Sequence, residues 1–196
     1  MLPSLVRLSF APTGAPQGSN TEESTSSMRK IIQLVIVLDC TQSMEDPMTK
    51  VKQAVLSVVE EMEAKMTQSD IESDDLSKSI EVQFSLITYR DYPRPGSRDY
   101  FANKPACSQP LPFGGPNAVR AAIAVEHAHG GGDIPECVEL ALHYAETELE
   151  WDVNADKMML LLTDAPPHAQ GCHSDDYPHG APSQYDCPHH RTNMDL

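Results

Sequence analysis

Asp39, Thr41 and Ser43 stand at alternate positions directly after the apolar run Leu34-Val35-Ile36-Val37-Leu38. One carboxylate and two hydroxyls are hard oxygen donors, the set that suits Mg²⁺, Mn²⁺ or Ca²⁺. Two further acids have comparable settings. Asp133 follows the triple glycine Gly130-Gly131-Gly132, and Asp164 follows the apolar run Met158-Met159-Leu160-Leu161-Leu162 and Thr163. Loops converging on one edge would bring together three carboxylates and two hydroxyls. That is close to the oxygen shell that Mg²⁺ completes with water.

The elements that must position these residues can be read from periodicity. The run ending at Asp39 is short and rich in β-branched residues, as a strand buried on both faces of a parallel sheet is. Ligands of such sheets bind at the carboxyl ends of the strands. Asp46-Pro47 reads as a helix N-cap followed by a first-turn proline. After it Val51, Val55, Val58, Val59, Met62 and Met66 recur at helical spacing, with Lys50, Lys52, Glu60, Glu61 and Glu63 outside. Residues 69–79 read as a polar, acidic loop. A second strand spans residues 80–89. Residues 108–113 suit a short edge strand, because Pro110 and Pro112 cannot serve a sheet centre. Helices are expected over 117–128 and from Asp133 to about Glu150, and a third strand over 158–162. Strands and helices alternate, so the expected fold class is α/β: a doubly wound, mostly parallel open sheet flanked by helices.

Composition bounds the function. The chain has 196 residues and is 40% hydrophobic, enough for one domain with a core. Its net charge of -15 argues against a nucleic acid or an anionic membrane surface as partner. No apolar run approaches the roughly 20 residues of a membrane span. The first ten residues lack the apolar stretch of a secretory signal, and five cysteines form no close pair. Both point to reduced thiols and a cytoplasmic location. Three regions are expected: a disordered leader over 1–28, rich in Gly, Pro, Ser, Thr and Glu; a folded domain over 29–171; and an irregular His/Cys/Pro-rich tail over 172–196.

Asp39-Cys40-Thr41-Gln42-Ser43 resembles the Asp-x-Ser/Thr-x-Ser motif of von Willebrand factor type A (vWA) domains, and the order of elements is similar to that family over residues 29–171. Three more segments look like one of its subgroups, found in hemicentin-like proteins and alpha-kinases. They are Ile87-Thr88-Tyr89-Arg90-Asp91-Tyr92, Gly130-Gly131-Gly132-Asp133-Ile134-Pro135-Glu136 and Thr163-Asp164-Ala165-Pro166-Pro167-His168. Any one of these motifs alone is weak; together, in order, they are specific. The resemblance implies a metal-ion-dependent adhesion site holding Mg²⁺ (or Mn²⁺/Ca²⁺). Thr41 and Ser43 would bind the ion through their hydroxyls, and Asp39 and Asp164 directly or through water. Asp133 stands where many members have threonine. Its charge should strengthen cation binding and weaken the ion's pull on an acidic ligand. In this family the ion keeps one position open for a partner's Asp or Glu, so the expected function is metal-dependent protein recognition without catalysis. The resemblance also implies further strands and helices after the Thr-Asp strand. Only 32 residues follow Asp164 here, so the sheet is expected to be cut short and to carry an uncovered edge.

Plainer readings stand beside these. Asp39 can simply end a strand. Asp133-Ile134-Pro135-Glu136 fits a helix N-cap with a capping-box glutamate, a role compatible with ligation. Cys40 should matter little, since its side chain points away from its neighbours' side in an extended segment. Cys172, His173, His179, Cys187, His189 and His190 are zinc-type donors, but their spacing lacks the Cys-x₂₋₄-Cys form, which favours a polar surface loop. No nucleophile elbow and no Gly-Lys-Ser/Thr phosphate loop occurs. The alternatives to recognition are a scaffold of the same fold with a non-functional site, a regulatory fragment of an alpha-kinase-like protein, and a zinc hydrolase using the tail.

Overall fold

The structure, a computed structural model, describes residues 6–9, 30–72, 79–91, 107–131 and 136–167. Its elements are β1 (Val6–Ser9), β2 (Lys30–Asp39), α1 (Met48–Glu72), β3 (Ile80–Tyr89), α2 (Pro116–Val125), α3 (Val138–Thr147) and β4 (Asp156–Leu162). The sheet order is β1-β4-β2-β3. Strands β2, β3 and β4 are parallel, and β1 pairs antiparallel with β4. The chain leaves β2 through α1 to β3 on one side, then crosses by way of α2 and α3 to β4 on the other. The direction of winding therefore reverses at the carboxyl end of β2, the switch point at which open α/β sheets bind ligands.

The period of two along β2 sorts the core into two layers. Leu34, Ile36 and Leu38 face Val51, Val55 and Val59 of α1 and Val119 and Ile123 of α2. Val35 and Val37 face Val138, Ala141 and Ala145 of α3, together with Ile87 and Tyr89 of β3. Helices thus cover both faces, as the strand-helix alternation leads one to expect. The near-continuous apolar character of β2 follows, since it is central and buried on each side.

Several boundaries differ from the sequence reading. Val6–Ser9, placed in the leader, forms an edge strand in register with Met158 to Leu161 of β4. The uncovered edge expected there is therefore taken by the chain's own β1. Helix α1 continues through residues 69–72 and does not give way to the expected loop at residue 69. Residues 108–113 form no ladder strand, because their prolines lack the N–H a ladder needs. They still follow the outer edge of β3, where Ser108 N–H donates to Thr88 O at 2.8 Å and Leu111 N–H to Leu86 O at 2.9 Å. Helix α2 stops at Val125, and Glu126 is extended. The chain must leave the helix there to lie along the end of β2, where His129 N–H donates to Cys40 O at 2.9 Å. Helix α3 begins at Val138 with Cys137 as its N-cap residue, so Glu136 precedes the helix. The backbone N–H groups of Glu136 and Cys137 are taken by Pro166 O at 3.0 Å and Arg90 O at 3.1 Å. Among the described residues no helix is long and apolar enough to cross a membrane.

Candidate metal centre

Three chain segments meet above the carboxyl end of β2. Asp39 is the last residue of that strand. Its odd-numbered position puts its side chain on the α3 face, in line with Val35 and Val37. Thr41 leaves the strand, and Gln42–Met44 curls into one 3₁₀ turn anchored by the buried Met44. That turn returns Ser43 Oγ to 3.0 Å from Thr41 Oγ1. Asp164 arrives two residues beyond the end of β4. The glycine loop packs alongside: Gln42 N–H donates to Gly130 O at 3.0 Å. Gly131 has φ +94°, and a Cβ there would lie 3.3 Å from Glu136 Oε1 and 3.4 Å from Thr41 Cβ. The left-handed φ calls for glycine, and a Cβ would also press on the Glu136 carboxylate.

The polar atoms form a ladder from core to surface. Asp39 and Thr41 are fully buried, whereas Ser43 and Asp164 are exposed. Asp39 Oδ1 accepts the Thr41 N–H at 2.9 Å and the Thr41 hydroxyl at 2.7 Å. Ser43 Oγ donates to Asp164 Oδ1 at 3.0 Å. Asp39 Oδ2 accepts from Thr163 Oγ1 at 3.1 Å and from the Tyr89 phenol at 3.4 Å. Burial pushes the Asp39 carboxyl above its usual range and the charge of Asp164 adds to this; the Thr41 and Thr163 hydrogen bonds oppose it. Burial likewise holds the Tyr89 phenol far above its usual value, so it remains a neutral donor.

A proton count bears on what this ladder can hold. Three close oxygen contacts run from Asp39 through Thr41 and Ser43 to Asp164. The two hydroxyls contribute one proton each. With both carboxylates ionised, two protons serve three contacts, so one contact is left without a proton. When Thr41 donates to Asp39 and Ser43 to Asp164, it is the Thr41–Ser43 contact, and the two hydroxyl oxygens face each other through lone pairs at 3.0 Å. A cation relieves that contact. For ligands about 2.0–2.1 Å from Mg²⁺, neighbouring oxygens of an octahedron are about 2.9 Å apart, close to the observed spacing. The donor set therefore fits a small divalent ion. Thr41 and Ser43 present lone pairs, and the carboxylates behind them accept their protons and so raise the hydroxyls' donor strength. Among the described residues no three Asp, Glu, His or Cys side chains group as metal ligands; the donors here are two carboxylates and two hydroxyls.

Of the sequence-derived site residues, Asp39, Thr41, Ser43 and Asp164 come together. Asp133 lies outside the described residues, as do the tail donors Cys172 to His190. Sequence reasoning gives no role to Tyr89 and Thr163. The strand register places them: Asp39 pairs with Tyr89, and Leu38 with Leu162, so Thr163 falls beside Asp39. Glu136, expected as a capping-box residue, is buried. Cys40 does point away from the site, into the α1 layer. Cys40, Cys107 and Cys137 are buried thiols, and Cys137 Sγ donates to Asp91 Oδ1 at 3.6 Å.

Comparison with protein-family models, with curated proteins and with solved structures gives no match.

Proposed function

We propose that this domain is a divalent-ion-dependent protein-recognition module, with Asp39, Thr41, Ser43 and Asp164 as the ion-holding residues and Asp133 as a further candidate. The proton deficit along the Asp39–Thr41–Ser43–Asp164 ladder carries the reading. The position of that ladder at the sheet's switch point and the resemblance to the vWA motif support it. Asp39, anchored through both oxygens, fixes Thr41. The 3₁₀ turn fixes Ser43 against it. Asp164, exposed, leaves the outer side of the cluster facing solvent. A bound divalent ion supplies positive charge and an open coordination position to an incoming Asp or Glu of a protein partner. The surrounding residues keep the ion's inner side shielded from water and leave that outer side accessible.

The test is thermal. Mg²⁺ or Mn²⁺ should raise the melting temperature of chelator-treated protein, and Asp39→Ala should remove the response. Equal melting temperatures with EDTA and with excess ion contradict the proposal. A partner complex that survives EDTA would favour a scaffold of the same fold with a silent site.

A further inference from the structure

Asp39 takes its Oδ2 hydrogen bonds from both flanking strands. On one side β3 ends in Tyr89, in register with Asp39. On the other, Thr163 follows directly after Leu162, the last residue of β4, which pairs with Leu38. All three residues are odd-numbered members of the α3-facing rows, so their side chains share one face. Tyr89 is fully buried. Apolar packing alone would be served by a phenylalanine, yet the phenol meets a single carboxylate oxygen, Asp39 Oδ2, at 3.4 Å. Thr163 Oγ1 reaches the same oxygen at 3.1 Å. Thr163 is also tied to its own loop: its Oγ1 lies 2.9 Å from Ala165 O and accepts the Ala165 N–H at 3.2 Å.

We infer that Thr163 and Tyr89 are positioning residues that hold the Asp39 carboxylate in the one rotation that aims Oδ1 at Thr41. Neither side chain is hydrogen-bonded to those of Thr41, Ser43 or Asp164; Tyr89 acts through Asp39, and Thr163 acts through Asp39 and through its bonds to Ala165 in the loop that carries Asp164. The arrangement has a physical logic. A carboxylate rotating about its last bond exchanges its two oxygens and sweeps its lone pairs away from a fixed donor. The Tyr89 phenol at the end of β3 and the Thr163 hydroxyl just beyond β4, whose one proton is shared between Asp39 Oδ2 and Ala165 O, oppose that rotation. The Thr41 backbone N–H at 2.9 Å then meets a stationary acceptor, and the Thr41 hydroxyl is held with its lone pairs toward Ser43. Outer partners of this kind typically alter ion affinity by about 10- to 100-fold. As regards ion affinity, the inference rests on the ion-site reading of the preceding subsection; as regards Asp39 itself, it stands on the hydrogen bonds alone.

The experiment uses the full chain with Thr163→Val, Tyr89→Phe, their combination, and Thr163→Ser as the conservative rescue. Amide hydrogen exchange without any divalent ion reads the positioning directly, because the Thr41 N–H is bonded to Asp39 Oδ1. The Cys40 N–H, bonded to Tyr89 O at 2.8 Å, is the internal control for an intact strand end. Thr41 exchange should accelerate about tenfold or more in the double variant, with Cys40 unchanged, and Thr163→Ser should retain the slow rate. Mn²⁺ titration should show about 10- to 100-fold weaker uptake by Thr163→Val and near-normal uptake by Thr163→Ser. Unchanged Thr41 exchange in a double variant with a protected Cys40 overturns the inference. Absence of Mn²⁺ uptake by the unmodified protein overturns the ion-site reading instead, and the Thr41 rate still decides the positioning.

Discussion

Replacing Asp39 with asparagine separates the metal account from the fold, because the two make opposite demands on that residue. Asparagine has nearly the same shape. Its carbonyl can accept the Thr41 N–H and hydroxyl, and its amide can donate to Thr163 Oγ1, whose own proton then turns to Ala165 O, 2.9 Å away, and to the Tyr89 phenol oxygen, which gives up only a long 3.4 Å bond. What disappears is a fully buried negative charge whose charged neighbour is another carboxylate, Asp164. In EDTA the variant should therefore be more stable than the parent, by about 1–3 kcal/mol, or roughly 3–9 °C in melting temperature. The sign follows from linkage. The folded-state pKa of Asp39 is raised, so its favourable contribution is complete below the unfolded value of about 3.9. That contribution is lost as pH rises through the folded value. The advantage of asparagine should be absent at low pH, grow on alkalinisation, and level off above the folded pKa. In Mg²⁺ the order should reverse. An ion at about 1,000 times its Kd stabilises the parent by about 4.1 kcal/mol, and a neutral amide forfeits most of this. Melting curves of both proteins with EDTA and with excess Mg²⁺, across pH, make the assay. An asparagine variant that is less stable in EDTA, or that responds to Mg²⁺ as the parent does, refutes the reasoning.

Other expectations concern the rest of the site and the core. Ser43→Ala and Asp164→Ala alter exposed residues, so each should leave EDTA stability within about 0.5 kcal/mol while reducing the Mg²⁺-induced rise in melting temperature. Gly131→Ala forces a side chain onto φ +94° between Glu136 and Thr41; urea unfolding should register a loss of about 1–3 kcal/mol. Burial pushes the Cys40 and Cys107 thiols up to about 12, so an aromatic disulfide reagent should modify them only as the protein unfolds, with a rate that tracks unfolding by denaturant.

The layers of the fold were legible because the central strand carries its signal in composition. A strand buried on both faces must be apolar throughout, and β2 is. Helix α1 was legible from the spacing of Val51, Val55 and Val59, which are the residues that reach the core. Edge elements were not. Val6–Ser9 is short and set among polar and proline-rich sequence, and its strand state comes from pairing with β4, a long-range contact. The start of α3 was misplaced because Asp133-x-x-Glu136 has the form of a capping box, whereas the Glu136 and Cys137 amides are drawn into bonds with the ends of neighbouring segments. In the candidate site, Asp39, Thr41 and Ser43 were readable as local donors, and Asp164 as a second strand end. Tyr89 and Thr163 required the register of three strands, which the spacing of residues along the chain does not encode.

The most direct test of the central claim is a calorimetric titration of chelator-stripped protein with Mn²⁺, with Asp39→Asn as control. Uptake of one ion per chain, competed by Mg²⁺ and abolished or severely weakened by the substitution, is the predicted result. Heats that match the buffer blank, or equal uptake by both proteins, would contradict the account.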